Sequence, residues 1–407
     1  MTLIRKTLVG LTLAAGVVAA VTFAARSDQA TPAHLAAPVA IPFESLNGLI
    51  LFPIRVNGSE PLTVILDSGA KPSIVSLERA KALALDLGAS VSVGGTGAGS
   101  STGAFVKNAT LTLDALPGFS HPVTLAISLD AIARRTGRRL DGIVGTDFMR
   151  AFVVELDYEK QILTLHDART FSYHGPGTAL PMTVDSNGHP TFTAIVTPVG
   201  RPAIEATVKL DIGASGAVTL HTPFVQQHGL PGPNLTTTRV IGVTGMGGRS
   251  SGRLGRLASL QVAGVTLERP TVVFSADTSG ANANPLVAGR VGAKIASRFR
   301  VFLDFTRGQL ILEPHATTNT SFDVASAGIA FEADGPEYRT VRVIDVLEDG
   351  PGALAGIQQG DVLTAIDGKP ASTVTMLDVI RRLERVAPCE LTLQRAGRFL
   401  TLTVTPK

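Results

Sequence analysis

The sequence predicts a mainly β protein in which two tandem β lobes, related by internal duplication, are followed by a small α+β module. Three observations predict it. Short apolar runs broken by Gly, Pro, Asn and Ser fill the chain up to about Pro314, as expected for short strands joined by turns. An ordered series of residues recurs 147 positions further on. Past residue 326 the pattern changes to alternating runs around one stretch of helical spacing.

Typical strand runs are Leu62-Thr63-Val64-Ile65-Leu66, Ala109-Thr110-Leu111-Thr112-Leu113 and Leu260-Gln261-Val262. The repeat joins Val144-Gly145, Phe152, Val154, Leu156-Asp157, Leu163 and Leu165 to Val291-Gly292, Phe299, Val301, Leu303-Asp304, Leu310 and Leu312. A series in constant register is the mark of duplicated architecture. Asp67-x-Gly-Ala and Asp211-x-Gly-Ala, and Thr96-Gly97 and Thr244-Gly245, recur at slightly different offsets. The lobes are placed at residues 43–170 and 175–314. Residues 315–326, rich in Thr, Ser and Asn, read as a linker. In the last module, 327–407, Thr340–Ile344 and Asp361–Ile366 alternate as strands, and Asp367-Gly368 is a turn signal. Met376, Val379, Ile380 and Leu383 have helical spacing, and Leu391, Leu393, Leu400, Leu402 and Val404 supply two closing strands.

The 407 residues carry a formal charge of only +3. Lys and Arg are scattered without an accompanying aromatic stripe, so no nucleic-acid partner is expected. The one dense cluster, Arg134, Arg135, Arg138 and Arg139, reads as a solvated loop, with an anionic-partner site as the alternative. Arg5-Lys6 followed by the uncharged stretch Thr7 to Ala25 has the pattern of a secretory leader. Residues 1–26 are therefore expected to be a signal peptide or a signal anchor in the inner membrane, with residues 27–42 a mobile linker. The body would then be periplasmic or extracytoplasmic. The single cysteine, Cys389, has no partner for an intrachain disulfide and is expected to be a small buried hydrophobe. The eight histidines form no metal-ligand spacing, so neither metal nor cofactor is expected.

The chemistry points to the two aspartates. Asp67 and Asp211 each end an apolar strand and enter a Gly turn, in Leu66-Asp67-Ser68-Gly69-Ala70 and Leu210-Asp211-Ile212-Gly213-Ala214. Related lobes facing each other would bring both carboxylates together. Two full charges about 3 Å apart repel by roughly 5 kcal/mol at an effective dielectric near 20, so one carboxyl stays protonated while its partner is ionised. The ionised member takes a proton from an attacking water, and the protonated one hydrogen-bonds the substrate carbonyl.

These motifs, with the later Ile143-Val144-Gly145 and Arg290-Val291-Gly292, resemble the retropepsin-like aspartic proteases, and the tandem arrangement resembles their bacterial two-lobe relatives and, more distantly, pepsin. The resemblance implies retropepsin/pepsin-like acid-protease β-barrel lobes with Asp67 and Asp211 as the catalytic dyad. Ser68, Gly69, Ala70, Gly213 and Ala214 would support the active-site loops. Gly97 and Gly99 in Gly94–Ser101, with Gly245 and Gly247, occupy the place of the flaps that close over substrate. The sequence departs from the family twice: Ile212 stands where Thr or Ser is usual, and Arg290 where an apolar residue is usual.

Gly99-Ser100-Ser101-Thr102-Gly103 and Gly248-Arg249-Ser250-Ser251-Gly252 satisfy Gly-x-Ser-x-Gly, but strand-like text follows both, against a serine hydrolase. Gly356–Gly368 closely resembles the signature of bacterial protease-associated PDZ domains. Gly328, Ile329, Ala330 and Phe331 sit at that family's carboxylate-binding loop, with Ala330 in place of its second glycine. Backbone N–H groups there would hold a C-terminal carboxylate while the peptide adds as an edge strand. The resemblance implies an aspartic-type endopeptidase acting on protein or peptide substrates, with a C-terminal peptide as ligand of the PDZ-like module. The alternative is a non-catalytic peptide-binding protein with a degenerate cleft, which Ile212 favours.

Overall fold

The computed structural model describes residues 34–97, 99–240, 244–322, 325–335 and 337–407. The leader expected over residues 1–26 lies outside them. No helix among the described residues is long and apolar enough to cross a membrane.

The chain is mainly β, and the duplication is visible as a two-fold pattern of strands. A six-stranded antiparallel sheet runs in the order Val39–Pro42, Ile162–His166, Val153–Asp157, Phe299–Asp304, Gln309–Pro314, Thr178–Pro181. At its centre Val154 faces Leu303 and Leu156 faces Val301, so residues 147 positions apart exchange places across the axis. These side chains are fully buried in a core that runs through both lobes. The constant register of the repeat follows from this: each equivalent pair must pack against the other copy of itself.

Each lobe adds its own sheet with the same local order. In the first, Leu62–Leu66 lies parallel to Gly142–Val144, which runs antiparallel to Ile74–Ser76. In the second, Ile204–Asp211 lies parallel to Gly289–Gly292, which runs antiparallel to Val218–Leu220. A one-turn helix follows each glycine strand end, Thr146–Met149 and Ala293–Ala296.

The C-terminal module has its own core around Phe331, Val343, Val379, Leu391 and Leu393. Helix Met376–Leu383 forms where the spacing placed it, opened by a capping box between Thr375 and Asp378. Asp367 and Gly368 both have positive φ, 47° and 74°, as a tight hairpin turn requires. Cys389 is fully buried, and burial pushes its thiol up to about 11.

Two expectations are corrected. Residues 39–42, assigned to a mobile linker, form a strand on Ile162–His166, because Val39 and Ile41 meet Leu165 and Leu163. The arginine cluster is a loop only at Arg138 and Arg139, which follow the helix end, with Arg139 exposed. Arg134 and Arg135 lie on helix Asp130–Thr136, ended by Gly137 at φ 67°, and this helix packs against strand Ile329–Asp334 of the C-terminal module. Within the segment expected as a second linker, Thr318 and Phe322 are held down: Arg298 Nη1 donates to the Thr318 carbonyl at 2.6 Å, and Phe322 is buried under the same guanidinium.

Candidate active site

The two aspartates meet at the seam between the lobes. Asp67 N donates to the Val144 carbonyl at 2.9 Å, and Asp211 pairs with Gly292 in the equivalent ladder of lobe 2. Each active-site glycine lies against the opposite carboxylate. A Cβ on Gly69 would come within 2.6 Å of Asp211 Oδ1, and one on Gly213 would overlap the Asp67 carboxylate. Gly69 N also donates to Asp67 Oδ1 at 2.6 Å. The alanines act through their carbonyls: Ala70 O accepts from Thr146 N at 2.9 Å, and Ala214 O from Ala293 N at 2.7 Å. Any side chain at Gly145 or Gly292 would press on these same carbonyls at 2.6 Å, which is why the later motif ends in glycine.

Ser68 ties the loops together. Its buried hydroxyl donates to the Leu210 carbonyl at 2.7 Å and accepts from Ile212 N at 3.1 Å. Ile212 is fully buried and returns no such bond, so the tie is one-sided. Ser68→Ala should leave the buried Ile212 N–H unpaired and cost about 2–3 kcal/mol, measured by urea unfolding; a loss below about 0.5 kcal/mol would sink this account. In lobe 1 a second clasp holds the same loop: Ser73 Oγ accepts from Gly145 N at 3.0 Å and donates to Asp147 Oδ1 at 2.7 Å.

The environments of the two aspartates differ. Two residues before Asp67 lies Ile65, paired with Ile143 over an apolar cluster. The same two positions in lobe 2 are Lys209 and Arg290, also cross-strand neighbours and both largely buried. Arg290 Nε is 3.7 Å from Asp211 Oδ2, and Arg290 Nη1 donates to Thr96 Oγ1 at 2.8 Å. Burial and the neighbouring Asp211 push the Asp67 carboxyl up to about 7, while the Gly69 N–H, Lys209 and Arg290 pull it down. Burial lowers the Lys209 ammonium, opposed by Asp211. Burial takes His221 down to about 4, and its Nε2 has no hydrogen-bond partner. Sequence reading noticed Arg290 but missed Lys209. The signal was available: aligning the repeats sets Lys209 against Ile65.

The four glycines expected in the flaps come together. Gly99 N donates to the Gly247 carbonyl at 2.7 Å, and Gly247 N to the Thr96 carbonyl at 2.8 Å. Gly97 has φ 97°, and a Cβ there would lie 2.6 Å from the Gly247 and Gly248 oxygens; only glycines let the two tips close on each other. Gly245 belongs to the short pair Thr244–Gly245 and Gly248–Arg249. Through Thr96 and Arg290 the first tip is linked to Asp211.

Gly328–Phe331 is far in sequence from this site. Gly328 has φ 66°, and Ile329, Ala330 and Phe331 begin the edge strand Ile329–Asp334. Ile329 and Phe331 line a cavity of about 730 Å³ with Ile380 and Leu383, walled on the other side by lobe 2.

Residues 52–148 match the aspartyl protease family model. The PDZ domain model matches residues 342–395. These two matches support a protease-like function with a PDZ module. Among solved structures, the aspartic proteinase from Irpex lacteus is 14% identical with a TM-score of 0.43, over 70% of this chain and 99% of its own. The HtrA3 PDZ domain bound to a phage-derived ligand (FGRWV) is 22% identical with a TM-score of 0.19, over 20% of this chain and 85% of its own. No curated protein matches the chain.

Proposed function

We propose that the chain is an aspartic-type endopeptidase whose dyad is Asp67 and Asp211. The observation that carries the reading is the reciprocal packing of each active-site glycine on the opposite carboxylate, with Ser68 bridging the loops. Asp67, pushed up to about 7, holds the proton of the pair in acid and is the hydrogen-bond donor to the scissile carbonyl. Asp211, with the Arg290 guanidinium 3.7 Å from its Oδ2, takes the proton of the attacking water. The meeting flaps cover the cleft and exclude water from it.

The substrates in this reading are exported proteins, reached through the leader expected at residues 1–26. The PDZ domain recruits or gates them, with a C-terminal peptide taken at Gly328–Phe331. A rival reading, a non-catalytic peptide-binding cleft, draws on Ile212, which leaves one loop tie where two are possible. Hydrolysis of an unfolded protein separates the two. The full chain should release new amino termini and variants lacking either carboxylate should not; equal rates in all three would reject the peptidase.

A further inference from the structure

The PDZ sheet ends on strand Ile329–Asp334, which pairs with Thr340–Val346 on one side only. Its open edge and helix Met376–Leu383 frame one groove, since Ile329 and Phe331 share a cavity wall with Ile380 and Leu383. The far end of this groove is already filled. Arg135 Nη1 of lobe 1 donates to the Phe331 carbonyl at 2.8 Å, and Arg134 Nη1 pairs with Asp334 Oδ1 at 2.9 Å. Tyr338 OH donates to Asp130 Oδ1 at 3.3 Å. Gly137 lies so close to the helix that a Cβ would come within 2.6 Å of Met376 Cβ. Helix Asp130–Thr136 and the glycine that ends it therefore touch both walls.

An added strand draws its affinity from main-chain hydrogen bonds to the exposed edge. The Phe331 carbonyl is one of those acceptors, and Arg135 has taken it. The lobe 1 helix also packs against Thr244–Gly245 of the second flap. Ile132, Met246 of that flap and Leu377 of the PDZ helix all pack on one apolar cluster. Met246 in turn lies on Gly95 of the first flap. The groove and the flaps are thus two ends of one packed unit.

We propose that helix Asp130–Thr136 occupies the PDZ peptide groove in cis, and that an extended peptide with a free C-terminal carboxylate displaces it and loosens the flaps. The peptide enters at the open end, where the cavity wall contributed by lobe 2 includes Arg256, Arg269 and Lys294 and the PDZ side includes Glu384. The net positive lining fits a carboxylate. The catalytic consequence rests on the peptidase reading above; the competition for the groove does not.

Peptide capture and hydrogen exchange on the full chain test this. The probe is a random heptapeptide pool with free carboxyl ends. Arg134→Glu with Arg135→Glu should retain at least about ten times more of the pool than the wild type, because a docked helix lowers apparent affinity by the fraction of open groove. Amides in 244–248 should exchange at least about ten times faster in the same variant. Asp334→Arg, made on the PDZ side, should behave alike, and combining it with Arg134→Glu should restore wild-type values. Equal retention by wild type and variants, including none by either, overturns the competition, and unchanged exchange in 244–248 overturns the link to the flaps. Absence of cleavage in every form, with capture and exchange altered as expected, would reject the peptidase and leave the docking standing.

Discussion

Asp211→Asn and Asp67→Asn are each expected to lower kcat for cleavage of an unfolded protein by about 10³-fold, with KM changed far less. General acid–base contributions of this kind are worth about 10²–10⁴-fold, and in the proposed dyad each variant removes one half of a proton exchange that needs both carboxyls. Asparagine keeps the volume, so Gly69 and Gly213 still fit against the opposite side chain. The losses should not add. A double variant should be no slower than the worse single one, because either change already breaks the unit. Steady-state kinetics on the three purified variants measure this. A single variant within about ten-fold of wild type would remove that aspartate from the dyad.

Stability and activity should both fall as the pH rises towards 7. Asp67 holds its proton up to about 7 in the folded chain, against 3.8 for an unperturbed aspartate. Between these values the native state binds more protons than the unfolded one, so unfolding free energy declines as pH increases. A carboxyl raised this far corresponds to at most ~4 kcal/mol across the window, less in practice because Asp67 keeps some contact with solvent. The check is the difference in urea-unfolding free energy between wild type and Asp67→Asn. It should decrease between pH 4 and pH 7, and a flat difference would contradict the raised carboxyl. The limb of kcat/KM that falls on the alkaline side should report the same group. Lys209→Ile, which copies the lobe 1 residue, removes a cation that pulls Asp67 down and should move that limb to higher pH.

Local and periodic features were legible in the sequence. Asp367-Gly368 specified its turn because both residues tolerate positive φ, and Met376, Val379 and Leu383 specified a helix because they bury one face. The 147-residue register announced two lobes because a two-fold sheet must pack Val154 on Leu303 and Leu156 on Val301. The composition of residues 27–42 concealed a strand, since Ala and Pro around Val39 and Ile41 outweigh two apolar side chains until Leu163 and Leu165 are seen opposite them.

The aspartates themselves show the division. That Asp67 and Asp211 occupy equivalent strand ends is fixed by the chain's own repeat. That their surroundings differ was decided by tertiary structure. Lys209 is an ordinary strand residue until the parallel ladder sets it beside Arg290. Arg290 reaches Thr96, 194 residues away, and Arg135 reaches Phe331, 196 residues away. Such contacts leave no periodic trace, because a guanidinium that bonds a distant carbonyl or hydroxyl looks in sequence like one that bonds water. The symmetric frame of the candidate site was thus encoded locally, whereas its electrostatic asymmetry and its connection to the PDZ groove exist only once the lobes have closed on each other.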